Sequence, residues 1–200
     1  MGAIAFLGGE VWGLVQTRSE QVECKLALGD LGVATAFYAL NNDNFLPHED
    51  AGSSKPPKDM CWYQVLDPYI QRRPIAWAKQ DPTLRDLHQD DITHAGFSYK
   101  MNSRLEEYKG EKSYYSDSFR HLSSISDPSQ TMLYFDGDVS EHHINKPYGM
   151  YNQVVNRHRD QANLLFIDQH VDSSSGGFES ENWSGPGGYL WDPDVSLDQQ

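Results

Sequence analysis

Residues 10–47 read EVWGLVQTRSEQVECKLALGDLGVATAFYALNNDNFLP, and the reading of this stretch decides the fold. Val22, Leu26, Gly29, Val33, Phe37 and Leu40 recur at spacings of three and four, one face of a helix with 3.6 residues per turn. Leu28, Leu31 and Tyr38 widen the stripe beyond a narrow coiled-coil seam. The pattern predicts a helix over residues 10–42, the longest element, with Leu26, Val33, Phe37 and Leu40 buried against an antiparallel sheet. Asn41, Asn42, Asp43 and Asn44 end it, because short polar side chains compete for the backbone and tolerate left-handed conformations. Pro47 forbids an early restart. Such a helix is about 45 Å long, more than a compact domain of this size needs. Residues 16–21 are polar, so the apolar stripe is stronger in the second half.

Downstream, residues 48–60 are loop by composition. Trp62, Val65, Leu66, Tyr69 and Ile70 have helical spacing, ended by Arg72, Arg73 and Pro74. Residues 79–94 are polar and irregular, and residues 97–101 alternate as a short strand does. Residues 131–135 read as a strand entering Asp136-Gly137, a tight-turn pair. Residues 138–152 are loop-like. Residues 163–167 form a second strand, Asp168-Gln169 a turn, and His170-Val171 the start of a return strand. A Gly/Ser-rich loop then leads to a short closing element at residues 189–191. One long helix followed by antiparallel strands predicts an α+β fold. Its two parts are a helix over residues 1–43 and a globular head over residues 44–200.

The 200 residues carry a formal charge of -13 with a pI near 4.8, which argues against a nucleic-acid partner because phosphate binding needs a basic surface. Six carboxylates and no Lys or Arg fall in residues 172–200, a solvated tail by its composition. Hydrophobic content of 38% is enough for a core. Of the two cysteines, Cys24 lies on the helix and Cys61 in the segment after it; their spacing leaves a bridge and two free thiols both open. The apolar run at residues 3–15 is broken by Gly8, Gly9 and Glu10, and is shorter than the roughly 20 residues a bilayer takes. It also lacks the basic start of a signal peptide. The chain reads as soluble, or as a soluble piece of a longer protein.

Three blocks carry a family resemblance. Cys24 to Gly32 with Phe37-Tyr38-Ala39 and Asn42-Asp43-Asn44 is the first, and Asp127 to Thr131 with Phe135-Asp136-Gly137 the second. The third is Arg157-His158, Ala162-Asn163-Leu164-Leu165-Phe166 and Asp168-Gln169-His170-Val171, with nine residues between His158 and Asp168. In this order they resemble bacterial type IV pilin-like pseudopilins carrying the prepilin-processing-associated H-x9-DG motif, similar to the major pseudopilins of type II secretion. Arg157, His158, Asn163, Phe166, Asp168 and His170 are then structural motif residues. Gln169 stands where the family has glycine, which puts a tight turn there in question. The family's N-terminal membrane helix and its peptidase site are missing, so residues 3–15 are at most a remnant. The resemblance implies a pilin-like fold and a bacterial cell-envelope location. The native form would be anchored in the inner membrane, with its head periplasmic or extracellular and other pilin-like subunits as filament partners.

Two acidic or histidine clusters are candidate metal sites. His158, Asp168 and His170 have ligand types suited to zinc, but Asp168 is equally a turn former and His158 a donor to loop carbonyls. Asp136, Asp138 and Glu141, near His142 and His143, are candidate calcium ligands. The resemblance adds weight there, since related major pseudopilins hold calcium in a late loop. The order lacks EF-hand spacing, and an exposed acidic turn explains it as well. No nucleophile elbow or phosphate-binding glycine loop occurs. Tyr114, Tyr115, Trp183, Tyr189 and Trp191 suit a sugar-stacking face, a core cap or a subunit contact. The favoured expectation is a non-catalytic structural subunit without a cofactor. The alternatives are a metal-dependent hydrolase built on His158, Asp168 and His170, and a soluble carbohydrate- or protein-binding module.

Overall fold

The computed structural model describes residues 4–49, 61–70, 97–105, 120–140, 146–175 and 189–194, with the side chains of the first helix described from Glu20 onward. That helix, α1, runs Ile4–Asn41, and it is the longest element. Its end is built from the polar run. The Asn41 amide donates to the Phe37 carbonyl at 3.0 Å and the Asn42 amide to the Tyr38 carbonyl at 2.7 Å. These side-chain bonds back up the carbonyls of the last turn, where helical pairing runs out. Asp43 and Asn44 then take φ of 51° and 63°, turning the chain away.

A short helix, α2 (Trp62–Val65), is followed by a single 3-10 turn at Asp67–Tyr69. The strands are β1 (Tyr99–Asn102), β2 (Met132–Asp136), β3 (Tyr148–Gly149), β4 (Ala162–Phe166) and β5 (Val171–Ser174). They form one sheet in the order β3-β1-β2-β4-β5. The architecture is thus one long helix with a mixed five-stranded sheet. The pairs β1–β2, β2–β4 and β4–β5 are antiparallel, but β3 runs parallel to β1, a departure from the all-antiparallel expectation. Asp136-Gly137 makes no hairpin: β2 continues past it into a bridge between Gly137 and Val154.

Every residue of β1, β2 and β4 is buried, since both faces of the sheet are covered. On one face Cys24, Leu28, Leu31 and Ala34 of α1 meet Trp62, Tyr99, Met101, Tyr134 and Leu165. On the other, Met132, Phe135, Leu164 and Phe166 lie under Tyr189 and Trp191. Leu190 is tied to the sheet by its amide, which donates to the Gln130 carbonyl at 2.7 Å. Double-sided burial explains the continuous apolar runs of β2 and β4.

The face of α1 that packs is not the one its large residues predict. Leu26, Val33, Phe37 and Leu40 are 58%, 51%, 53% and 72% exposed, and Val22 is exposed as well. The buried positions are Cys24, Leu28, Leu31, Gly32, Ala34, Thr35 and Ala39. At 3.6 residues per turn the two sets lie about 180° apart. Trp62, Tyr99 and Tyr134 fill much of the space between helix and sheet, and Leu28 and Leu31 pack into the rest beside the smaller Cys24 and Ala34. Gly32 marks the closest approach: a Cβ there would lie 2.3 Å from Gln169 Oε1 and 3.1 Å from Leu165 Cδ1.

Candidate functional site

The motif residues meet at the end of β2. Asp136 is fully buried, and its Oδ2 accepts the Asn163 backbone N–H at 2.8 Å. His158 Nε2 lies 3.5 Å from the same oxygen, with its side chain almost wholly buried. The Val155 N–H donates to the Asp136 carbonyl at 2.9 Å, and Arg157 Nη2 donates to the Gly137 carbonyl at 2.6 Å. Asp136 Oδ1, His158 Nε2 and Asn163 Nδ2 are buried without a hydrogen-bond partner. Burial pushes the Asp136 carboxyl up to about 6, opposed by the Arg157 charge and the Asn163 N–H. Burial, aided by Arg157, pushes His158 down to about 4.

Lys100 closes the neighbouring side. It is fully buried, and its Nζ donates to the Lys146 carbonyl at 2.6 Å. Burial brings its amine down to about 7, against the pull of Asp138. Its stem crosses Gly137 and Gly149 so closely that a Cβ on Gly137 would fall 2.4 Å from Lys100 Cδ. This contact gives the glycine after Asp136 a packing role. The run at residues 97–101 shows a strand but gives no sign that its lysine is interior.

The nine-residue spacing is the length of one strand with its turns. His158 and Gln161 exchange backbone bonds of 2.9 and 3.0 Å across Arg159 and Asp160, both at positive φ (51° and 62°). That is the primed two-residue turn expected between antiparallel segments. After β4 the Phe166 N–H donates to the His170 carbonyl at 3.0 Å, which leaves Ile167, Asp168 and Gln169 as a three-residue loop with Gln169 at φ 81°. This is the hairpin whose last loop residue takes the left-handed conformation, where glycine is easiest. Gln169 Nε2 donates to the Ile167 carbonyl at 3.0 Å.

His158 and Asp168 therefore sit at opposite ends of β4, roughly 20 Å apart by strand rise. Asp168 Oδ1 holds His170 Nδ1 at 2.6 Å on the surface, and the His170 ring stacks on Phe166 with centroids 4.2 Å apart. The structure brings Arg157, His158 and Asn163 together with Asp136, and it sets Asp168 and His170 apart from them. The calcium candidates also diverge: Asp136 points inward, while Asp138 accepts from Ser140 N–H at 2.8 Å and Ser140 Oγ at 2.7 Å. Glu141, His142 and His143 lie outside the described residues. Among the described residues no three His, Cys, Asp or Glu side chains are gathered to hold a metal ion.

Tyr189 and Trp191 are buried under the sheet, Trp191 5.3 Å from Phe135, so neither offers a stacking face; Tyr114, Tyr115 and Trp183 lie outside the described residues. Cys24 and Cys61 are buried thiols not joined by a disulfide. Burial pushes the Cys24 thiol up to about 11, although Tyr99 hydrogen-bonds to it. Among the described residues no helix is long and apolar enough to cross a membrane. No family model, no curated protein and no solved structure matches the chain.

Proposed function

We propose that this chain is a structural subunit of a pseudopilus or pilus-like secretion apparatus, acting by assembly rather than by catalysis. One observation carries the reading. Val22, Leu26, Val33, Phe37 and Leu40 form a continuous apolar stripe on the side of α1 away from the sheet, each more than half exposed. Contiguous apolar surface is uncommon on a lone soluble chain and marks interaction sites. The order of the three motif blocks along the chain supports the same class. A bacterial-envelope location, an inner-membrane anchor and filament partners of similar fold belong to the proposal.

The motif residues fit a structural role. Asp136, Asn163 and His158 are buried where the end of β2 meets the start of β4, and the half-buried Arg157 ties to the Gly137 carbonyl beside them. A hydrolase built on His158, Asp168 and His170 has its groups split between the two ends of β4. The test places the chain in a membrane with partner subunits and single engineered cysteines along the exposed face of α1. Cross-links between subunits are the expected outcome. Their absence where a known pseudopilin cross-links, together with a substrate turnover lost in His158→Ala, would replace this reading with the enzyme.

A further inference from the structure

We propose that the junction of β2 and β4 binds one internal water molecule through Asp136, His158 and Asn163, independently of how the chain assembles. The pairing of Phe135 with Leu164, and of Asn163 with Ser173, sets Asp136, Asn163 and Ser173 in a row across β2, β4 and β5. Two hydrogen bonds join the row: the Asn163 N–H donates to Asp136 Oδ2 at 2.8 Å, and Ser173 Oγ donates to Asn163 Oδ1 at 2.9 Å. Gln21 of α1 reaches one end, where its Nε2 donates to Ser173 Oγ at 3.4 Å. His158 reaches the other end, with Nε2 3.5 Å from Asp136 Oδ2. That separation is longer than an ordinary N–H···O bond.

Three polar atoms around this carboxyl lack a hydrogen bond: Asp136 Oδ1, His158 Nε2 and Asn163 Nδ2. All three side chains are more than nine-tenths buried, and buried polar groups in folded proteins pair with protein or with water. The neighbours of Asn163 fix the orientation of its amide. Ser173 Oγ accepts from Gln21, so its own proton goes to Asn163 Oδ1. Nδ2 is left as the free donor. The Asn163 side chain is close enough to favour the charged form of Asp136, yet Nδ2 makes no hydrogen bond to it. The atom set selects the occupant. Nδ2 can only donate, a carboxylate Oδ1 can only accept, and a neutral imidazole Nε2 does either. A metal ion would meet the Nδ2 hydrogens and the Arg157 charge, which acts on both Asp136 and His158. An anion would meet the Asp136 carboxylate. Water donates and accepts, carries no charge, and makes about three hydrogen bonds in such sites. With it, α1, β5, β4, β2 and His158 share one unbroken hydrogen-bonded chain.

The test is a crystal structure of the full chain sharp enough to show ordered water, with water-to-amide NOEs measured on the same chain at neutral pH. The expected results are a peak within about 3.2 Å of Asp136 Oδ1, His158 Nε2 and Asn163 Nδ2, and a direct NOE from the Asn163 N–H to a long-lived water. Asn163→Leu keeps the size and removes the donor, so the folded variant should lose both the peak and the NOE at its own amide. If that variant does not fold, the two measurements on the natural chain decide the question. Direct contact of His158 Nε2 or Asn163 Nδ2 with Asp136, with no peak between them, would overturn the proposal. So would a peak whose ligands lie at metal distances, shorter than about 2.6 Å. A folded Asn163→Leu chain that keeps the water would overturn it as well.

Discussion

Gln169 holds a left-handed conformation at φ 81° in the turn between β4 and β5. A non-glycine residue there costs about 1–2 kcal/mol. Its side chain also leaves Oε1 buried without a partner, against Gly32 of α1. Gln169→Gly should stabilise the protein by about 1 kcal/mol in thermal or denaturant melts. A loss of stability would show that the bond to the Ile167 carbonyl outweighs the strain. The two sites are coupled: Gly32→Ala should cost stability in the natural chain and less in the Gln169→Gly background, as a double-mutant cycle would measure.

At the Asp136–His158 pair the pH behaviour has a sign. Asp136 has a folded pKa raised to about 6 from 3.8, so its stabilising share is present below about 3.8 and lost as pH rises through about 6. His158 has a folded pKa lowered to about 4 from 6.5, so its share is present above about 6.5 and lost as pH falls through about 4. Between about 4 and 6 the slopes oppose and nearly cancel. Arg157, Cys24 and Tyr99 are the other titratable groups acting around Asp136. Asp136→Asn should leave stability rising with pH across that window, and His158→Gln should leave it falling. Each change should amount to something on the order of 3 kcal/mol. Parallel pH profiles in the two variants would contradict burial as the cause of the two opposite shifts.

At the scale of elements, the energetic weight of α1 lies on the face that carries Leu28, Leu31 and Ala34. Leu31→Ala should cost about 2–5 kcal/mol, because Leu31 is fully enclosed by the core. Phe37→Ala should cost little in the isolated chain, because its ring is half exposed. Denaturant midpoints for the two variants check the assignment, and the reverse order would return Phe37 to the core. The existence of α1, its polar C-terminal stop and strands β2 and β4 were legible in residues 20–46 and 131–167, where period, turn residues and apolar runs agree. The buried face of α1 was not. Both faces carry apolar residues three and four apart, and periodicity alone cannot say which faces the sheet. Size misled, since the head's own aromatics take the space that Leu26, Val33, Phe37 and Leu40 were expected to fill. The parallel β3 was hidden because two residues, Tyr148 and Gly149, are too few to make a pattern. The Asp136–His158–Asn163 junction was legible only as separate motif residues. Their meeting depends on the pairing of β2 with β4, which no local spacing encodes.

At the scale of the whole molecule, one helix joins two environments. The face carrying Leu28, Leu31 and Ala34 completes the head's core, and the face carrying Leu26, Val33, Phe37 and Leu40 is exposed. Under the assembly proposal this division makes stability and association separable, which an ordinary core helix would not allow. The most direct measurement is sedimentation of the full chain against a Val33→Gln/Leu40→Gln variant, with melting temperatures taken on the same samples. Assembly through α1 predicts concentration-dependent association of the natural chain, a monomeric variant, and a melting temperature for the variant within a few degrees of the monomeric natural chain. A variant that melts far lower, or that associates as the natural chain does, would contradict it.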